Sequence, residues 1–167
     1  MKKQFTHIDA SGNPQMVDVS DKKITKRIAR AQAVVFLGKE ILSQMKGDEL
    51  ITKKGPVFQT AIIAGVMAAK KTHQLIPFCH PINLEDCKVK ISVKKNKAVI
   101  ETEAVITSKT GVEMEALTAA SVAALTVYDM CKALSHEIVI GEIKLMEKRG
   151  GKKDFLRKEW FDFHPGL

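Results

Sequence analysis

KVKISVKKNKAVIETEAVIT, Lys88–Thr107, is the stretch from which the fold can be read. Val89, Ile91 and Val93 alternate with Lys88, Lys90, Ser92 and Lys94, a period of two that puts the apolar side chains on one face of a half-buried strand. Lys95, Asn96 and Lys97 read as a turn and Ala98 to Thr107 as the returning strand, so the predicted unit is an antiparallel hairpin. Thr110 and Gly111 then introduce a helical segment, about Met114 to Leu134, rich in Ala, Leu, Val and Met. It is apolar nearly all round, which predicts burial on more than one side and, in so small a chain, a subunit interface.

Working outward, Ile76-Pro77-Phe78-Cys79-His80-Pro81 before the hairpin is a loop, because its two prolines forbid regular structure. Gly55 and Pro56 open a long helix running to about Leu75, with the proline at or near the first helical position. Ala61, Ala64, Gly65, Ala68 and Ala69 on that helix are small enough to let another element come close. Ile24–Phe36 reads as a strand, Gly38–Met45 as a short helix and Ile138–Met146 as the last strand, with Gly150-Gly151 closing the regular part. Setting the short helix aside, the order is β-α-β-β-α-β. That is the pattern of an α+β ferredoxin-like sandwich, an antiparallel sheet with two long helices on one face. Residues 1–22 read as a polar arm, 23–152 as the domain and 153–167 as a tail. The tail holds Phe155, Trp160, Phe161 and Phe163, an apolar group expected to dock rather than stay in water.

At 167 residues, with 45% hydrophobic and 28% charged, the chain is expected to form one globular domain. No apolar run approaches the roughly 20 residues that span a bilayer, and Met1-Lys2-Lys3-Gln4 is not followed by a signal segment, so a cytoplasmic protein without membrane contact is expected. Cys79, Cys87 and Cys131 form no Cys-x-x-Cys unit and no His-x-x-x-His spacing occurs; neither a disulfide framework nor a metal site is predicted. The net charge of +8 fits an anionic partner, whether nucleic acid, a phosphorylated small molecule or a membrane surface, and equally fits a merely basic surface. A ferredoxin-like nucleic-acid module would display aromatic side chains on its sheet, and both hairpin strands lack Phe, Tyr and Trp.

The polar residues of apolar segments carry the chemistry. Asp129 and Lys132 share a face of the second helix, either as a salt bridge at its end or as a partly buried pair whose proton affinities suit proton transfer. Glu113 and Glu115 begin that helix, where acids favour the dipole and where a carboxylate could accept hydrogen bonds from a ring with N–H donors. His80, in a rigid loop beside Cys79, is a structural histidine, a phosphate partner or a general acid. Lys53-Lys54-Gly55 precede the first long helix, whose free N–H groups with a lysine would seat a phosphate without forming a P-loop. Of Lys70 and Lys71, at least one belongs to a solvated face; Lys70 is kept as a candidate for substrate binding.

Three runs, MVDVSDK (Met16–Lys22), KKTHQLIPFCHP (Lys70–Pro81) and TGVEMEALTAASVAALTVYDMCKAL (Thr110–Leu134), together resemble the cyclic pyranopterin monophosphate synthase family over about residues 5 to 152. Twenty-five contiguous residues in the last run make the likeness specific. The resemblance implies a ferredoxin-like subunit in a homohexamer, a trimer of dimers, with active sites at the dimer interface. It implies a lyase that takes 3′,8-cyclo-7,8-dihydroguanosine 5′-triphosphate to cyclic pyranopterin monophosphate in molybdenum cofactor biosynthesis, releasing pyrophosphate. Asp129 and Lys132 fall on the family's catalytic pair, and Lys54 and His80 on active-site positions. Phe78, Cys79, His80, Met114 and Glu115 fall on substrate-binding segments, and Arg27 and Lys152 on basic positions near the phosphates. Lys54, Asp129 and Lys132 would then move protons in ring opening, the clustered lysines depressing each other's pKa. Arg27, Lys152 and a helix N-terminus would hold the leaving pyrophosphate. No bound cofactor is implied, and Mg²⁺ can enter with the triphosphate. The sequence departs from the family at Pro56, where an acid is usual, at Ile62, where a basic residue is common, and in its aromatic tail. A non-catalytic scaffold of the same fold is the competing expectation, and the intact Asp129 and Lys132 argue against it.

Overall fold

The computed structural model describes residues 11–158. Its central strand is β1, Thr25–Phe36, where Ala29, Ala31, Ala33 and Val35 alternate into the core and are fully buried. β1 pairs antiparallel with β6 (Lys97–Ser108) on one side and with β7 (Val139–Arg149) on the other. β5 (Asp86–Lys94) adds beyond β6, and the two-residue β8 (Phe155–Leu156) beyond β7, giving the order β5-β6-β1-β7-β8. The first four of these strands form the ferredoxin-like sheet, and every pairing is antiparallel. The hairpin between β5 and β6 turns at Lys95-Asn96, with Lys95 in the left-handed region at φ 58°.

Two long helices cover the inward face: α2, Val57–Ala69, and α4, Glu113–Cys131. α4 lies across β1, β6 and β7, while α2 packs beside α4 and over β5. The close fit has two visible causes. The β1 side chains beneath α4 are alanines, and Thr102 on β6 donates its hydroxyl to the carbonyl of Ala116 at 2.8 Å. Where α2 meets α4 stands Gly65. A Cβ there would lie 3.0 Å from the Ala119 carbonyl and 3.2 Å from a Val89 methyl, so only glycine fits without displacement. On the opposite face Arg30 joins Glu103 and Glu147, each at 2.6 Å, and Arg149 also pairs with Glu147. Glu147 is 1% exposed, so its buried charge is balanced by two guanidinium groups.

The structure differs from the sequence reading at five places. Gly55 and Pro56 do not open the helix; they form β4, the third strand of a small sheet with β2 (Met45–Lys46) and β3 (Glu49–Thr52). A Gly55 φ of 111° makes that turn, and α2 begins at Val57. The first long helix stops at Ala69 rather than reaching Leu75. Lys71 N–H bonds back only three residues, to Ala68 O, and Thr72 Oγ1 donates to Ala69 O at 3.0 Å, so the last turn tightens before the short α3, Thr72–Leu75. The predicted short helix is the single turn α1, Lys39–Leu42, and α4 ends at Cys131, three residues before Leu134. β8 lies within the segment read as a tail. Its Phe155 is exposed on one side and carries the Arg157 guanidinium 5.6 Å from the ring centre. Trp160, Phe161 and Phe163 lie outside the described residues.

Candidate active site

α4 carries a group of polar residues at each end. At its C-terminal end Asp129 and Lys132, three residues apart, meet at 2.8 Å. The small sheet brings a second cation to them. The turn between β3 and β4, fixed by the Lys54 N–H donating to Thr52 Oγ1, points Lys54 at α4. Lys54 Nζ donates to the Asp129 carboxylate and to the Asp129 carbonyl, both at 2.8 Å. One aspartate thus stands between two ammonium groups. Hydrogen bonds from Lys132 and then Lys54 lower its pKa to about 2, and Asp129 in turn raises that of Lys132. The three side chains are 44–55% exposed, so they are not the partly buried group that their apolar neighbours suggest. The reason is the side of the helix: Asp129 and Lys132 stand on the outer side of the last turn, whose Met130 and Cys131 are buried in the core.

At the N-terminal end of α4 is a cavity of about 670 Å³. The loop before β5 supplies Phe78, Cys79 and His80 to it, the first turn of α4 supplies Glu113, Met114 and Glu115, the end of β7 supplies Lys148 and the bend after it Lys152. Val17, Asp18, Val19 and Lys22 form the remaining wall. An adjoining hollow of about 220 Å³ is lined by Lys22, Arg27, Lys109, Lys148, Arg149 and Lys152 around Thr110-Gly111. Six cations at the start of a helix of nineteen residues make a strongly anion-attracting region. Gly111 gives room here, because a Cβ would collide with the Glu113 carboxylate. That carboxylate accepts from Lys148 Nζ at 3.0 Å.

Glu115 is different. It is 3% exposed, and burial, with the Glu113 charge adding to it, raises its pKa to about 7. A carboxyl poised there can be donor or acceptor near neutral pH. Cys79 has its thiol pKa raised by desolvation and by the Glu115 charge. His80 Nε2 lies 2.9 Å from the Val17 carbonyl, which can only accept, so that nitrogen carries the hydrogen.

The candidates from sequence therefore fall into two groups: Lys54, Asp129 and Lys132 at one end, and Arg27, Phe78, Cys79, His80, Glu113, Met114, Glu115 and Lys152 at the other. Lys70, the exposed C-cap of α2, belongs to neither; it lies near enough to Cys87 to oppose the rise in that thiol's pKa. The N-terminus of α2 is not a phosphate seat, because the Glu49 carboxylate already accepts from Phe58 N–H at 2.8 Å and Gln59 N–H at 3.1 Å. Lys148, Lys22 and Lys109 were not singled out from sequence. Lys148 stands in an alternating run of charges on β7, and only its ion pair with Glu113 distinguishes it. Among the described residues no group of three His, Cys, Asp or Glu side chains could hold one metal ion, and no helix is long and apolar enough to cross a membrane.

A ferredoxin-like sandwich with a cation-lined cavity and a separate lysine–aspartate cluster is the build of an enzyme acting on a small molecule. The chain belongs to the MoaC family, whose model matches residues 16–151. It is 51% identical over 152 residues to a protein of Xanthomonas campestris pv. campestris named cyclic pyranopterin monophosphate synthase, covering 90% of this chain and 92% of that one. It is 48% identical over 167 residues to molybdenum cofactor biosynthesis protein 1 of Dictyostelium discoideum, covering 89% of this chain and 26% of that longer protein. A molybdenum cofactor biosynthesis bifunctional protein of Synechocystis is 52% identical over 155 residues, 90% of this chain and 45% of its own length.

Proposed function

We infer that this chain is a cyclic pyranopterin monophosphate synthase of molybdenum cofactor biosynthesis. It converts 3′,8-cyclo-7,8-dihydroguanosine 5′-triphosphate to cyclic pyranopterin monophosphate and releases pyrophosphate. The observation that carries the reading is α4 itself, which presents a carboxyl-and-cation cavity at one end and a lysine–aspartate cluster at the other. Glu115 and Asp129 are fourteen residues apart, roughly 21 Å at 1.5 Å per residue. One mononucleotide does not bridge that span within a protomer. The site is therefore formed between two copies, the cavity of one facing the Asp129 cluster of its partner, in a homohexamer built as a trimer of dimers. Support comes from Ile63 and Met67 on α2 and Leu125 on α4, apolar side chains each more than half exposed in the single chain.

In this arrangement Glu113 and Glu115 bind the ring system through its N–H groups. Arg27, Lys148 and Lys152 hold the phosphates and stabilise charge developing on the leaving pyrophosphate. Lys54, Asp129 and Lys132 move the protons of ring opening. In the lone protomer Asp129 keeps Lys132 charged, so a neutral amine requires the drier, more cationic surroundings that a partner subunit and a bound substrate provide. Mg²⁺ would arrive on the triphosphate. The three cysteines are unpaired, which suits the cytoplasm. Feeding the cyclised nucleotide to purified protein and following pyrophosphate tests the reading: multiple turnovers are expected, and a folded oligomer that releases none would end it.

A further inference from the structure

Three walls of the large cavity come from the loop before β5, the start of α4, and the end of β7 with the bend after it. The fourth, Val17, Asp18, Val19 and Lys22, comes from the Met16–Lys22 run, to which the sequence assigned no role. Among the described residues, Val17–Ser20 is tied to the body of the protein by two side-chain hydrogen bonds, His80 Nε2 to Val17 O at 2.9 Å and Lys109 Nζ to Ser20 O at 2.6 Å. Within itself the segment is well formed. The Asp18 carboxylate accepts from the Ser20 N–H at 2.8 Å and hydroxyl at 2.6 Å, and Lys22 N–H bonds to Val19 O at 3.1 Å. Such a turn keeps its shape when it moves, so opening or closing it orders few new dihedrals. Lys22 sits at its end and lines both the large cavity and the adjoining basic hollow. The position of the turn thus decides where that ammonium stands.

We propose that Val17–Lys22 is a strap that closes over a bound oligophosphate and carries Lys22 to it, and that Lys109 is the positioning residue that latches the strap through the Ser20 carbonyl. The proposal rests on reading the cavity as a site for a phosphorylated substrate. Lys109 acts through the main chain of the strap. A bond from a charged donor is among the stronger hydrogen bonds, and its loss should raise the open fraction ~10-fold or more. His80 holds the other end, which makes its ring part of the closure as well as of the pocket.

The test is amide hydrogen exchange on the full-length protein, read by peptide mass, with inorganic triphosphate as the probe. In the parent, triphosphate should slow exchange across residues 17–22 by at least ~10-fold. Lys109→Met should speed it by a similar factor without ligand, leaving β1 and α4 peptides unchanged, and Lys109→Arg should restore the parent rate. Asp18→Ala, which dissolves the turn but leaves Lys109 in place, should give the same faster exchange. With the cyclised nucleotide both loosened variants should raise KM ~10-fold and change kcat less than ~3-fold. A higher KM for Lys109→Met with unaltered strap exchange would mean that Lys109 binds substrate directly, and overturns the proposal. So does a strap that triphosphate leaves unprotected, or a loosened strap with an unchanged KM. If the parent releases no pyrophosphate at all, the assignment of the reaction falls, while the exchange measurements still decide the strap.

Discussion

Mixing two inactive variants should restore activity if two protomers share each site. Asp129→Asn disables the C-terminal end of α4; Lys148→Gln removes the cation that faces Glu113 at 3.0 Å at the other end. Each alone should lower pyrophosphate release at least ~100-fold. The separation of roughly 21 Å along α4 puts these lesions in different half-sites of one chain. In a mixed dimer one site then carries both lesions and the other carries none. Random pairing makes half the dimers mixed, so about a quarter of all sites are intact and the mixture should run at ~25% of the parent rate. The variants are co-expressed with different affinity tags, mixed oligomers are counted by mass, and light scattering gives their size. Mixed oligomers that stay at the single-variant rate would show that both ends serve a site within one protomer. A clean monomer in the parent would refute the reasoning as well.

Asp129→Asn and Lys132→Ala should each keep the oligomer and each lower turnover at least ~100-fold, and the two losses should fail to add in the double variant, measured beside thermal unfolding; fully additive losses would mean that the two groups act independently. Gly65→Ala should cost ~1–3 kcal/mol in denaturant unfolding, since the new methyl meets the Ala119 carbonyl at 3.0 Å; an unchanged midpoint would mean that α2 shifts freely. Glu115 has a folded pKa of about 7 against an ordinary 4.5. The unfolded chain therefore releases this proton first as pH rises, so stability should fall between about pH 4.5 and 7, by roughly 3 kcal/mol at most, and level off above. Glu115→Gln should flatten that window in pH-dependent unfolding.

The parts of the fold legible in the sequence are those whose pattern repeats. The alternation in Lys88–Thr107 marked β5 and β6, and the apolar mass of Thr110–Leu134 marked α4 within three residues of its end. The small sheet was not legible, because two-residue strands such as Met45–Lys46 and Gly55–Pro56 are too short to show a period. That omission matters, since the turn of this sheet is what delivers Lys54 to Asp129. Spacing put Asp129 and Lys132 together and set Glu113 at the other end of the same helix, but no local signal could say that Lys54, far away in the chain, would meet Asp129 or that Lys148 would meet Glu113. Lys22, Lys109 and Lys148 were hidden for a related reason: a lysine that converges on a cavity has the same neighbours in sequence as one that faces water.

α4 also sets a phase. Each residue added to a helix turns everything beyond it by about 100° and advances it about 1.5 Å. One residue inserted between Ala116 and Val127 would swing Asp129 and Lys132 away from Lys54 while leaving the Glu113–Lys148 pair untouched. Four inserted residues would nearly restore the angle but lengthen the rod by about 6 Å. The number of residues between the two ends is thus a constraint of its own, separate from the one that keeps Ala119, Ala120, Ala123 and Ala124 small where α4 is fully buried.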